Sequence, residues 1–180
     1  ELEIQIGRKC AELVDDGACI QMGIGGLPNA VAAGLTGHKN LGVHTEMFAD
    51  GVLELIRKGV VNGAAKNIDQ GKIVASFLLG SNDVYNFIHK NPDVLMKDIA
   101  YTNDPWVISR NDKVTAINSA TEVDITGQIC ADSIGTRIFS GTGGQLDFVR
   151  GAVMSKGGKS ITAFASRTNK GKNKIVPMLN

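Results

Sequence analysis

The sequence predicts an α/β domain: a mostly parallel, open sheet with helices on both faces. Three observations carry this. Short apolar runs that read as buried strands alternate with amphipathic stretches of helical period. The composition is that of an average folded protein, with 43% hydrophobic and 21% charged residues and a formal net charge of +1 over 180 residues. Glycine is in excess, 22 residues against four prolines, and several glycines cluster where a strand run passes into a helix. The length suits one domain of roughly 100–200 residues.

Taken in order, Ile4, Cys10, Ala11, Leu13 and Val14 have helical spacing, which Asp15-Asp16-Gly17 ends. Ala18 to Met22 reads as a buried strand, followed by Gly23-Ile24-Gly25-Gly26 and a helix with Pro28 in its first turn. Leu41 to Thr45 is a second strand ending at Glu46, and a helix follows from about Asp50, its expected cap, to Lys58. Lys72 to Leu79 reads as one strong buried strand, and Ser81 to Lys90 as a helix capped by Ser81. Ile99 to Tyr101 and Val114 to Ile117 are expected strands, and Ala120 to Ile129 alternates like a half-exposed one. A second glycine loop, Ser140 to Gly144, leads into a helix over about Leu146 to Met154. Ser160 to Ala165 and Ile175 to Met178 close the chain as strands.

Several classes are excluded. Disorder needs low hydrophobicity and high net charge. Nine aromatics and no basic excess do not make a stacking platform for nucleic acid. No apolar run approaches the ~20 residues of a membrane span, and no signal peptide opens the sequence. Cys10, Cys19 and Cys130 form neither a C-x-x-C pair nor an even set, so neither a disulfide framework nor a zinc site is expected, and a reducing cytoplasm is the default. Charge is unevenly placed. Seven basic residues and no acid lie between Arg150 and Asn180, a segment that suits either an anionic ligand or a solvated loop.

Ligands of open parallel sheets bind where loops leave the carboxyl ends of strands. Gly23 to Gly26, Glu46 and Gly141 to Gly144 are all expected there. Glycines without side chains let backbone N–H groups approach an anion. Glu46 lies 23 residues after Gly23, close to the spacing of a dinucleotide-binding fingerprint, although Pro28 replaces its third glycine. That reading leaves the second glycine loop without a role. His44 and Glu46 share a strand face, which invites a metal site, but the P-C-x-x-C partner of zinc deaminases is absent.

Three segments together, G-I-G-G-L-P-N-A-V (Gly23 to Val31), H-T-E-M-F-A-D-G (His44 to Gly51) and F-S-G-T-G-G-Q-L-D-F-V-R-G-A (Phe139 to Ala152), resemble the acetyl-CoA hydrolase/transferase family of CoA-transferases. Asn118 to Gln128 also fits, and the resemblance runs in order over all 180 residues. Its nearest groups are the 4-hydroxybutyrate and butyryl-CoA:acetate CoA-transferases. It implies a CoA-transferase (NagB/RpiA-like) type of α/β domain. Residues 1–180 would be the C-terminal catalytic domain, short of its C-terminal end, with the N-terminal domain absent.

The implied activity moves CoA between an acyl-CoA and a short-chain carboxylate through a glutamyl-CoA thioester, with hydrolysis of acetyl-CoA as the alternative within the family. The resemblance implies Glu46 as nucleophile and Asn103 as a residue that orients it. Ile24, Gly25 and Gly143 are candidate backbone donors to an oxyanion. Gly23, Gly26, Gly141 and Gly144 are candidate CoA-binding positions. No metal or redox cofactor is expected, since CoA enters as substrate. The expected partners are acyl-CoA, small carboxylates, the absent N-terminal domain and a second copy of the enzyme, with no nucleic acid and no membrane.

Overall fold

Helix α1 (Leu2–Ala11) leads to strand β1 (Cys19–Met22), α2 (Gly26–Gly34), β2 (Gly42–His44), β3 (Met47–Phe48) and α3 (Asp50–Arg57). Then come β4 (Ile73–Ala75), β5 (Phe77–Leu78), α4 (Asn82–Ile88), β6 (Val94–Met96), α5 (Ile99–Thr102) and α6 (Pro105–Ser109). The remainder is β7 (Val114–Asn118), β8 (Glu122–Asp124), β9 (Ile129–Cys130), β10 (Ser133–Ile134), β11 (Arg137–Ile138), α7 (Gln145–Met154), β12 (Lys159–Thr162) and β13 (Ile175–Val176). This is a computed structural model, and it describes residues 1–23 and 25–179.

Six strands form one sheet in the order β12-β7-β1-β2-β4-β6, every neighbouring pair parallel. A parallel sheet has its two faces covered, which is why its central strands are buried at successive positions instead of alternating. β1, β2 and β4 are buried at every position. Ile20, Val43 and Ile117 join the core under α1, α2 and α3, whereas Cys19, Val114 and Ala116 pack with Ile108 of α6 and Phe148 of α7. Strand order reverses beside β1: β2, β4 and β6 extend to one side, β7 and β12 to the other. The crevice outside such a reversal is where open α/β sheets bind ligands.

Four expectations are corrected. The run Lys72 to Leu79 is two strands, because Ser76 interrupts it and Phe77–Leu78 pairs with Met47–Phe48 in a separate ladder. Ile99 to Tyr101 is helical, because the Asp98 side chain accepts the Ala100 N–H and caps a short turn. Ala120 to Ile129 folds back as the antiparallel pair β8–β9, turned around Asp124, whose Oδ1 accepts the N–H groups of Thr126 and Gln128. The second glycine loop follows the small β10–β11 hairpin, not a strand of the main sheet.

Besides β3 and the β10–β11 hairpin, two further elements lie outside the sequence reading. β6 is one, and α6, started by the Asp104 cap with Pro105 behind it, is the other. Ser81 stands at the N-cap of α4 but does not cap it with its side chain. Its hydroxyl and N–H both donate to the Asp50 carboxylate, so Asp50 serves this neighbouring helix start and not its own.

α1 and α2 pack almost backbone to backbone. A methyl on Gly7 would lie 2.5 Å from the Ala30 carbonyl carbon. Glycine to alanine in a helix normally gains about 1 kcal/mol, but overpacking against backbone costs roughly 1–3 kcal/mol, and here the second effect dominates. Gly7→Ala is therefore expected to be destabilising despite its better helix propensity, as a lower urea midpoint at unchanged slope.

Candidate active site

The site begins with an interruption of the sheet. β2 and β4 pair as far as His44 and Val74, and Thr45 N–H still donates to Val74 O at 3.0 Å. One residue later, Ser76 N–H and Phe77 N–H both donate to the single carbonyl of Glu46, at 2.9 and 3.1 Å. The register is the same on both sides, His44 with Val74 and Met47 with Phe77, so no residue is inserted; the ladder is interrupted by a bend at Glu46 and a matching bend at Ser76. Glu46 bends out of the strand here, half-buried, before β3 resumes.

Period two puts Gly42, His44 and Glu46 on the α6–α7 face, as expected of His44 and Glu46. His44 is 2% exposed, its ring 6.3 Å from that of Phe148. Its Nε2 lies 2.9 Å from the Thr102 carbonyl. A carbonyl only accepts, so Nε2 carries the proton and Nδ1 is a bare acceptor, buried without a partner among the described residues. Burial pulls the ring's pKa down to about 4, against which the bond to Thr102 acts. No group of three or more His, Cys, Asp or Glu side chains that could hold a metal occurs among the described residues.

Glu46 Oε2 accepts the N–H of Gly144, 98 residues away, at 3.0 Å. Gly144 is buried at the N-cap of α7, where unpaired N–H groups and the helix dipole favour a carboxylate. A methyl on Gly144 would overlap Asn103 Nδ2 and lie 2.6 Å from Glu46 Oε2. Glu46, Asn103 and Gly144 thus meet at one point. Asn103 is the C-cap of α5, delivered by the turn read from sequence as a strand.

The other glycines divide. Gly143 has φ +55°, and a side chain there would begin 4.0 Å from Glu46 Oε2. Its neighbour Gly144, placed in sequence among the CoA-binding positions, supplies the N–H that reaches the carboxylate. Gly141 is exposed with open space around it. Gly23 N–H is engaged by Ile117 O at 3.3 Å, so it is not free for a ligand. Continuing the β1–β2 register brings Gly23 level with Glu46 on the adjacent strand. Gly25 caps α2 at φ +112°, exposed to solvent, and Gly26 faces the Glu3 carboxylate. Ile24 lies outside the described residues.

The basic segment is not one patch. Lys159 donates to Leu13 O and Asp15 at the amino end of β12. Lys172 pairs with Glu122 at 2.9 Å, and Lys174 donates to Ala120 O. The last two line a cavity of about 420 Å³ beside the reversal of strand order, together with Leu27, Phe164 and Arg167.

Residues 80–180 match the model of the acetyl-CoA hydrolase/transferase C-terminal domain. The chain belongs to the acetyl-CoA hydrolase/transferase family. The matched residues include the second glycine loop, which the dinucleotide reading left unused. The chain is 48% identical to the 4-hydroxybutyrate coenzyme A transferase of Clostridium kluyveri, covering 100% of this chain and 42% of that protein. It is 53% identical to the succinyl-CoA:acetate/propanoyl-CoA:succinate CoA transferase of Fasciola hepatica, covering 99% and 38%. The solved 4-hydroxybutyrate CoA-transferase of Porphyromonas gingivalis superposes with a TM-score of 0.89 at 46% identity, over 98% of this chain and 42% of that one. The chain thus spans about two fifths of the length of these family members. No described helix is long and apolar enough to cross a membrane.

The buried ring yields a pH dependence. Unfolded, His44 takes a proton below its ordinary value of about 6.5; folded, it resists until about 4. Stability contributed by the neutral ring is present above 6.5 and lost as pH falls towards 4, a change of ~3 kcal/mol. Urea unfolding across pH 7 to 4 is expected to fall more steeply for wild type than for His44→Gln. Parallel profiles would contradict the burial of a neutral ring.

Proposed function

We propose that this chain carries the catalytic glutamate of a CoA-transferase acting on short-chain acyl-CoA and carboxylates of the 4-hydroxybutyrate, butyrate, acetate or succinate kind. One observation carries the reading: the Gly144 N–H on Glu46 Oε2. It leaves Oε1 without a hydrogen-bond partner among the described residues and thus open as the attacking atom. The relatives at 48% and 53% identity are transferases by name, which favours transfer over hydrolysis. Their chains are more than twice as long, so the activity is proposed for the full-length protein.

Glu46 Oε1 attacks the thioester carbonyl, the C–S bond breaks, and an acyl–glutamyl anhydride and CoA thiolate result. The thiolate attacks the glutamyl carbonyl, the free acid departs, and a glutamyl-CoA thioester remains. An incoming carboxylate attacks that thioester, releasing thiolate and forming a new anhydride. The thiolate then takes the new acyl group and frees Glu46. Covalent catalysis of this kind divides one difficult exchange into reversible steps.

Whenever the glutamyl carbonyl is attacked, negative charge gathers on Oε2. The Gly144 N–H is already there, at the start of α7, so little reorganisation is needed; such a donor is typically worth ~10²–10³ in rate. Asn103 Nδ2, packed against the same point, is a second donor. Gly143, the donor candidate read from sequence, stands one residue before Gly144 with φ +55°, a conformation that suits glycine. Lys172 and Lys174 are already engaged, which leaves Arg167 as the cation of the strand-reversal cavity for a CoA phosphate.

In the full-length protein, incubation with acyl-CoA is expected to leave a CoA adduct on Glu46, read by intact-mass and peptide spectra. Glu46→Gln should abolish both adduct and transfer, because an amide is not a carboxylate nucleophile; full transfer in that variant would refute the assignment. Gly144→Ala, with unstrained φ but no room for its methyl, should lower kcat by about 10²-fold or more while leaving the melting temperature close to wild type.

A further inference from the structure

Thr102 is fully buried at the end of α5, although nothing in the proposed chemistry uses it. Groups from β2, from the β4–β5 link and from the end of α5 itself converge on it. His44 of β2 donates to its carbonyl. Ser76, between β4 and β5, places Oγ within a short hydrogen bond of Thr102 Oγ1. Thr102 Oγ1 in turn lies 3.0 Å from Asn103 Oδ1, nearer than its alternative acceptor, Ile99 O at 3.4 Å.

Proton bookkeeping orders these contacts. Asn103 Nδ2 and Glu46 Oε2 lie beside the same point at Gly144, while the other end of the amide, Oδ1, faces Thr102; a carboxylate oxygen only accepts, so this is the orientation in which the amide can donate to it. Oδ1 only accepts, so the one hydroxyl proton of Thr102 is committed to it. Ser76 must then be the donor of the Ser76–Thr102 pair. The chain runs Ser76 Oγ–H to Thr102 Oγ1, Thr102 Oγ1–H to Asn103 Oδ1, with Asn103 Nδ2–H left for Glu46. It closes on itself, because Ser76 also gives its N–H to the Glu46 carbonyl at the break in the ladder.

We propose that Thr102 is a positioning residue, whose hydroxyl, supplied by Ser76, holds Asn103 with its N–H donor turned towards Glu46. This rests on the reading of Glu46 as nucleophile. Without the hydroxyl, the Asn103 amide loses the partner that distinguishes its two ends. It can then rotate and present Oδ1 to the carboxylate, where two acceptors repel.

The test uses the full-length protein with Thr102→Val, which keeps the shape and deletes the hydroxyl, and Thr102→Ser, which keeps the hydroxyl. Thr102→Val is expected to lower kcat roughly 10–100-fold, the order associated with misplacing a catalytic group. KM for acyl-CoA should stay within about threefold, and the Glu46–CoA adduct should form correspondingly more slowly. Thr102→Ser should recover most of the rate. Asn103→Ala should be slow, and Thr102→Val added to it should cost nothing more, because the hydroxyl acts only through that amide.

Should Thr102→Val fail to fold, Ser76→Ala, at a half-buried site, replaces it with the same expectations. Wild-type kcat in Thr102→Val, equal losses in the Val and Ser variants, or effects that multiply with Asn103→Ala would each overturn the proposal. An adduct in wild type that forms at the same rate in Thr102→Val rejects this inference alone; no adduct in wild type rejects the Glu46 reading and this proposal with it.

Discussion

The geometry of the site depends on one misfit between two parallel strands. Where β2 and β4 should continue their ladder, two N–H groups from Ser76 and Phe77 converge on the carbonyl of Glu46. Matching bends at Glu46 and Ser76, with the register unchanged across them, break the sheet into a buried lower part and a short upper ladder, β3 with β5. That break turns Glu46 out of the sheet beneath the start of α7, and it brings the Ser76 hydroxyl under α5. A regular strand would have carried the glutamate on as one more member of a flat row, without a fixed partner.

Around this break, polar groups replace solvent in a defined order. The carboxylate finds a backbone N–H at a helix start, where the helix field is positive. The imidazole beneath it is kept neutral by burial and anchors α5 through Thr102. Donors fixed in place before reaction need no rearrangement when charge moves onto a carboxylate oxygen. The glycine at 144 is required by space: Asn103 and Glu46 occupy the volume a side chain would need. At 143 it suits a positive φ, and at 7 it permits the contact of two helices. The glycine excess therefore has several separate causes.

Much of this was legible along the chain. Mostly apolar runs at Ala18–Met22 and Val114–Ile117 announced central strands, because strands covered on both faces are rich in apolar residues. The two glycine loops and Glu46 stood out because open parallel sheets bind ligands where loops leave the carboxyl ends of strands. The α5 turn was misread because Ile99-Ala100-Tyr101 has strand-forming residues, and only the Asp98 cap tips it to helix. The Lys72–Leu79 run hid its break because Ser76 is a single polar residue whose partners lie 26 and 30 positions away.

By itself the sequence determined the parallel α/β class and the covered sheet, because periodicity and local spacing are properties of neighbours along the chain, and its motif segments carried the resemblance to the family. The tertiary structure alone decided that Gly144, not Gly143, gives its N–H to Glu46. It also decided that Gly23 spends its own N–H on β7, and that Thr102 joins His44, Ser76 and Asn103. Each of these is a hydrogen bond between groups far apart in sequence, where a shift of one residue exchanges one N–H for the next. Such a choice is made by how helices and strands pack, and no local pattern records it.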